Sequence, residues 1–435
     1  MIAFRDKVPK RIGALFSKEA SWGARLAVLF IISSVISVFS GILLFYRNDI
    51  YHFDADEVEY WNLSSDLLNF EFNVAGRRTL GFPFILAIIR LCFPSLVLIQ
   101  IAITLLACTA SPLLAHAVYR VSGDRRAGIL AGTVIAFWPP QIFLATSLYS
   151  ETVALPLFLA ALCMFPARSQ PPKWTNFLSM GILMAALCHV RTMYQLFIPF
   201  IVLIILYQYR IRWKSVLFIG CVLLGFLAAV LPWSIYISQR TDHRMLLTAN
   251  GGETLAGGLN PVILTDHPSL QLDKRTSWVG PGKWITPDQT GYLTEQDFKK
   301  SYVERDKILF TGAVTWIKEH PGSAIYLTAR KIAYMWGIYP FARNGLKVAI
   351  FGNIPIILLT ILFLAVLSLH PQIRRDAMRF NLVPLFVTGV AVISWGSWRF
   401  RQPADAAMIA VVAWGLSALI AHRFAAKGKE RRHAS

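Results

Sequence analysis

Apolar residues in this 435-residue chain gather in blocks of 15 to 26, separated by short and mostly basic segments. A block of about 20 residues is the length of a helix crossing the ~30 Å hydrocarbon core of a bilayer. The first block runs from Leu26 to Phe45. Others follow at roughly 95–119, 127–144, 152–166, 175–189, 192–208, 215–236, 346–369, 381–395 and 404–421. The pattern predicts an all-α polytopic membrane protein with about ten transmembrane helices and external juxtamembrane helices. A transmembrane β-barrel would instead show segments of about ten residues alternating in polarity.

One apolar stretch breaks the series. Leu80 to Phe93 has 14 residues, contains Arg90 and opens with Gly81 and Pro83, so it is expected to form a re-entrant or interfacial helix. Counting it as a span would reverse the side of every later loop, and the basic residues test that choice. With it left out, segments 1–25, 120–126, 167–174, 209–214, 370–380 and 422–435 share one side. Together these 71 residues hold 22 of the 43 Lys and Arg. The positive-inside rule makes that side cytoplasmic, with both termini on it. The first span is too long for a signal-peptide core and lacks a small-residue cleavage site after it, so it is expected to remain as an anchor. The same arrangement puts 19 of the 24 Asp and Glu outside, counting Asp405 at a span end.

Three regions follow from this topology. Residues 1–236 form an N-terminal transmembrane module with an external acidic loop at 46–94. Residues 237–345 form an external region, and 346–435 hold the last transmembrane helices and a basic cytoplasmic tail. The external region contains turn-rich sequence (GGETLAGGLNP, VGPGKW) and then a stretch in which Phe298, Tyr302, Ile308, Leu309, Val314 and Ile317 recur at helical spacing. Next comes IYLTARKIAYMWGIYP, with aromatics beside Arg330 and Lys331, the composition of a helix lying at the membrane interface.

Composition sharpens the picture. The chain is 55% hydrophobic and 15% charged, with a mean hydropathy of +0.52, against nearer a quarter charged for a soluble domain. Most of the net charge of +19 falls in the cytoplasmic segments, where 22 basic residues meet 5 acidic ones, and no basic run pairs with stacking aromatics on a soluble module, so nucleic acid is set aside. Five cysteines all lie in apolar segments without CxxC spacing and read as buried thiols. A divalent metal lacks any supporting ligand spacing, and no phosphate-binding loop, GxSxG or dinucleotide fingerprint occurs.

Candidate chemistry concentrates in the external segments. In HFDADEVEYW, Asp54, Asp56, Glu57 and Glu59 fall within six residues. Asp54 and Asp56 share a face if the loop is extended; Asp56, Glu59 and Tyr60 share one if a helix starts there. The cluster also reads as a solvated acidic loop capping a helix. The aromatics Tyr51, Phe53, Tyr60 and Trp61 favour carboxylates held at the interface, where desolvation raises a base's pKa. Glu151 opens a span and fits either a site or a helix start capped by Ser150. His189 and Arg191 sit at an external span end, where a charge is costly and marks a site unless it snorkels. In WGSWRFRQP, an extended turn would point Arg399 and Arg401 the same way. Two arginines outside, against the charge rule, suit a phosphate as well as lipid headgroups.

These segments resemble the GT-C superfamily of integral-membrane glycosyltransferases, in the branch of protein O-mannosyltransferases and lipid A aminoarabinose transferases. DADEVEYWNLSSDLL is similar to that branch's first acidic external loop, and RRTLGFPFILAIIRL to the helix after it. LPWSIYISQRTDHRMLLTANGGETLAGGLNP, WIKEHPGSAIYLTARK and WRFRQPADAAMIAVVAWGL are similar to later motifs, in the same order along residues 25 to 420. The resemblance implies a sugar donor on a polyprenyl phosphate, a glycan, lipid or protein acceptor, and single-sugar transfer at the external face of a bacterial inner membrane, with inversion. It implies Asp56 as base, with Asp54 as the alternative, and Glu151 as a second acid. Arg399, Arg401 and Arg191 would meet the donor phosphate, and Glu57, Tyr60, Arg77, Arg78 and His189 the substrates. No cofactor is implied firmly. Two other readings stay open: a polysaccharide polymerase or ligase using the same carriers, and a lipid-sugar flippase, which expects acids lining a path within the spans.

The topology is testable directly. A reporter fused after Arg126 should be cytoplasmic and one fused near Thr265 external. The opposite pair would show that Leu80 to Phe93 crosses the membrane.

Overall fold

The computed structural model describes residues 21–50, 53–71, 76–167, 170–266, 290–338 and 352–433. The basic residues before 21, Tyr51, the VGPGKW turn and the start of the 346–369 block lie outside the described residues. Within them the chain is helical, with no strand.

The first block forms α1 (Trp22–Phe45), which ends in a single π-helical turn. After the acidic helix α2 (Ala55–Leu68) and the short α3 (Gly81–Cys92) comes α4 (Leu96–Ser122). The next block breaks into α5 (Arg125–Ala136) and α6 (Pro139–Ala145), bent by 63° where paired prolines cannot continue the helical ladder. Then follow α7 (Glu151–Cys163), α8 (Trp174–Val190), α9 (Thr192–Tyr209) and α10 (Trp213–Thr241). Residues 237–345 contribute α11 (Gly251–Gly258), α12 (Tyr302–Glu319) and α13 (Pro321–Met335), and the last stretch holds α14 (Ile354–Leu369), α15 (Met378–Ile393) and α16 (Gln402–His433).

Every block read from the sequence is thus a helix, but not every helix is long. Among the described residues five stretches have the length and composition to cross a membrane: α1, α4, α9, α10 and Trp398–Arg423, which covers most of α16. The bent α5–α6 pair makes six if it counts as one span. The remaining four blocks, α7, α8, α14 and α15, are apolar helices of 13 to 17 residues. The result is a helical multi-pass membrane protein, with fewer full-length spans among the described residues than the ten blocks.

Burial explains the bundle. α7 and the first turns of α16 are covered on almost all sides, as expected for helices apolar all round, and they form its centre. α1 instead leaves Ile31, Val35 and Phe39 exposed at steps of four, an outward apolar stripe that lipid would cover. α8 and α10 touch backbone to backbone. A Cβ on Gly181 would lie 2.1 Å from the Val222 carbonyl oxygen, and one on Gly225 would lie 2.4 Å from that of Leu178. Small residues are what allow such an approach where apolar surface alone gives helices no reason to associate.

α3 folds back on the acidic helix. Its Arg90 lies 3.8 Å from the Trp61 ring centroid and donates to the Trp61 carbonyl and to the hydroxyls of Ser64 and Ser65. Twelve residues reach about 18 Å, short of the bilayer core. Between α10 and α14, α12 buries Val303, Asp306, Leu309, Ala313 and Trp316. That face is offset from the expected one: only Leu309 is shared, and Phe298 is exposed. The helix begins at a Ser301–Glu304 capping box, and its buried face is set by α11, which crosses it closely.

Candidate active site

A cavity of about 1790 Å³ opens where successive apolar helices end. Its walls come from the C-terminal ends of α1, α8 and α15, the N-terminal parts of α4 and α9, and the turn leading into α16, with α2, α11 and α12 closing one side.

Asp56 stands in the first turn of α2, so Asp56, Glu59 and Tyr60 share a helical face and the extended alternative for Asp54 and Asp56 does not apply. The Asp56 carboxylate accepts from Arg78 Nη2 at 2.7 Å through one oxygen and from Arg399 Nη2 at 2.8 Å through the other. Burial alone would push its carboxyl up. The charges and hydrogen bonds of Arg78 and Arg399 more than offset that, so it stays well below the usual carboxylate range. The expectation that desolvation would raise this acid is therefore reversed, because the arginines come from segments 22 and 343 residues away.

The network continues on both sides. Glu59 pairs with Arg77 and Arg78, each at 2.9 Å. Arg77 also grips Glu253 through two nitrogens, at 2.7 and 3.0 Å, and Glu253 accepts from the Tyr302 hydroxyl. Buried behind the cavity lining, Glu151 pairs with Arg191 at 2.6 Å, and its other oxygen lies 3.7 Å from Arg399 Nε. Ser150 does not cap α7 through its side chain. Its hydroxyl accepts from Tyr60 and Arg191 and donates to Glu151, while Tyr60 accepts from Arg78. A line of hydrogen bonds thus joins the two halves.

Other expected residues play different parts. Asp54 accepts from the Tyr149 hydroxyl at 2.5 Å. Glu57 lines the cavity and accepts backbone N–H groups of Asp54 and Leu148 with its two oxygens, fastening α2 to the loop before α7; burial pushes its carboxyl up. His189 lies off the cavity lining, edge-on to Trp233, and its carbonyl accepts from Thr79.

Arg401 is the clearest correction. Trp398–Arg401 is a 3-10 turn, not an extended one. Two residues there rotate by about 240°, so the guanidinium groups of Arg399 and Arg401 diverge. Arg399 lines the cavity with its plane 4.2 Å from the Tyr149 ring centroid. Arg401 is 3% exposed, donates to Asp405 at 2.8 Å and to the Met335 carbonyl, and does not line the cavity. Asp405, which also accepts from Trp138, lies buried inside the helix start rather than at an open end.

Sequence reasoning missed Glu253 and Tyr149. Glu253 stood in a quoted motif, GGETLAGG, as an acid in a glycine-rich turn. Its placement depends on Asp306, whose carboxylate accepts from the Gly252 and Glu253 N–H groups and caps α11. Burial pushes Asp306 up to about 6. A Cβ at Gly252 would lie 1.8 Å from the Asp306 carbonyl oxygen, so only glycine fits that crossing. Among the described residues no group of three or more His, Cys, Asp or Glu converges as metal ligands do.

Neither protein-family models nor curated protein sequences give a match to this chain. The fold and cavity define a helical multi-pass membrane protein with an arginine–carboxylate pocket where its helices end.

The different placement of the two arginines has a measurable consequence. Arg401→Ala strands a buried carboxylate and should destabilise the folded protein by about 3 kcal/mol or more. Removing Asp405 as well should recover much of that loss. Unfolding temperatures in detergent or nanodiscs check this, and an Arg401→Ala protein as stable as wild type would contradict it.

Proposed function

We propose that this protein is a membrane glycosyltransferase of the GT-C kind, which moves one sugar from a polyprenyl-phosphate donor to an acceptor hydroxyl on the external face of a bacterial inner membrane. In this reading the ten apolar blocks cross the membrane and both termini are cytoplasmic. The observation that carries it is Asp56 lining a large cavity between two arginines, at the level where the helices end. A polyprenyl phosphate presents its charge at that depth. The aromatic wall of Phe45, Phe143 and Trp398, with ring centroids 5.3 and 5.5 Å apart in sequence, offers an apolar surface beside the charges.

The chemistry needs few parts. The acceptor oxygen bonds to the anomeric carbon as the carbon–phosphate oxygen bond breaks, and that electron pair leaves with the phosphate. The hydroxyl proton passes to the Asp56 carboxylate. Arg399 meets the charge growing on the phosphate, which helps the transition state more than the ground state. Phosphate is a good leaving group, with a second pKa near 6, so no general acid is needed. One displacement inverts the anomeric centre. Arg191 holds Glu151 in place behind Arg399.

Asp56→Asn should lower turnover of a defined polyprenyl-phosphate sugar by roughly a hundredfold or more without weakening donor binding, since a base rather than a binding group is lost. Donor-binding and turnover measurements on the purified variant check this. Loss in Asp54→Asn with Asp56→Asn active would move the base to Asp54, and activity in both would refute the mechanism.

A further inference from the structure

Within the ion-pair network beside the cavity the charges cancel. Arg77, Arg78, Arg191 and Arg399 meet Asp56, Glu59, Glu151 and Glu253, four cations against four anions. An incoming phosphodiester brings one more negative charge. Each arginine of this network already faces a carboxylate, so a phosphate that docks on one competes with that carboxylate for its N–H groups.

Arg399 is the member placed to change partners. It donates to Asp56 through Nη2 alone, with its Nε 3.7 Å from Glu151. Its Nη1 is buried and meets no hydrogen-bond partner among the described residues. Arg77, by contrast, is fixed by the two-pronged Glu253 contact, and Arg191 by Glu151 and Ser150. Arg399 can therefore give up Asp56 and keep Glu151 beside it.

We infer that the donor phosphate takes Arg399 from Asp56, so that this carboxylate becomes an effective base only in the donor complex. The inference rests on the transferase reading and adds the order of events. The charged groups facing Asp56 are Glu59 on its own helix, Arg78 from the loop before α3, and Arg399 from the turn before α16. Behind them stand Arg77 and the Glu151–Arg191 pair, and Tyr60 and Tyr149 supply neutral hydroxyls. Losing one of two guanidinium partners leaves burial less opposed, so the proton affinity of Asp56 rises on binding. The sign is fixed: Asp56 is ionised throughout in the free protein, and in the complex it gains a proton as pH falls toward the ordinary carboxylate range. At neutral pH it stays ionised, now as a stronger base. In the free protein the missing exchange keeps the base weak, which limits transfer of the acceptor proton before a donor is in place.

The test is calorimetric binding of the intact polyprenyl-phosphate sugar without acceptor, in two buffers of different ionisation enthalpy, from pH 7 to pH 4.5. The donor is a phosphodiester with a constant charge over this range, so exchanged protons come from the protein. We expect net proton uptake that is absent at pH 7 and grows as the pH falls to 4.5. Asp56→Asn should bind the donor without that uptake, and Asp54→Asn should retain it. Binding by the wild type with no proton uptake, or uptake that persists in Asp56→Asn, would overturn the inference. Failure to bind any polyprenyl-phosphate sugar would instead refute the transferase reading itself.

Discussion

Four guanidinium groups and four carboxylates hold one another in place around the cavity, and the surrounding helices are arranged to deliver them there. No single element carries the set. Asp56 and Glu59 come from α2, Arg77 and Arg78 from the loop before α3, Glu151 from α7, Arg191 from the end of α8, Glu253 from α11 and Arg399 from the turn before α16. Ion pairs taken out of water stabilise only when each partner is met at close range and the remaining hydrogen-bonding groups are satisfied. The Tyr60–Ser150 bridge and the Asp306 cap on α11 supply part of that satisfaction. The same requirement fixes local backbone: Gly252 lets α11 cross α12 closely enough for Asp306 to reach its N–H groups.

The charge balance also decides which residues can act. A carboxylate pinned by two arginines is a poor base, and an anion docking on a shared arginine competes with the carboxylates already there. Arg401, two residues from Arg399, belongs to a separate buried pair with Asp405 that locks the turn to α16 and to the end of α13. One turn of helix therefore separates a group facing the cavity from a group that holds the frame.

Much of this was legible in the sequence. The apolar blocks marked every helix long and apolar enough to cross a membrane, and the short Arg90-bearing stretch forms a short helix folded on α2. The acidic loop, Arg191 and Arg399 all line one cavity, and Glu151 lies buried behind it, paired with Arg191. What the sequence could not display was pairing at long range. Glu253 and Arg77 are 176 residues apart, and nothing local to GGETLAGG shows that an arginine waits there. The pKa of Asp56 went the other way from expectation for the same reason, since its arginines are remote in sequence. The Arg399–Arg401 error was local instead: side-chain direction depends on whether four residues are extended or wound into a 3-10 turn, and WRFR carries no signal that separates the two.

The most direct measurement is an experimental structure of the protein with a polyprenyl-phosphate sugar bound in a lipid environment. The account predicts the phosphate within hydrogen-bonding distance of the Arg399 guanidinium, the Arg399–Asp56 contact broken, and the Asp56 carboxylate turned toward the anomeric carbon's far side. A phosphate bound elsewhere, with Asp56 still held by Arg399, would contradict it.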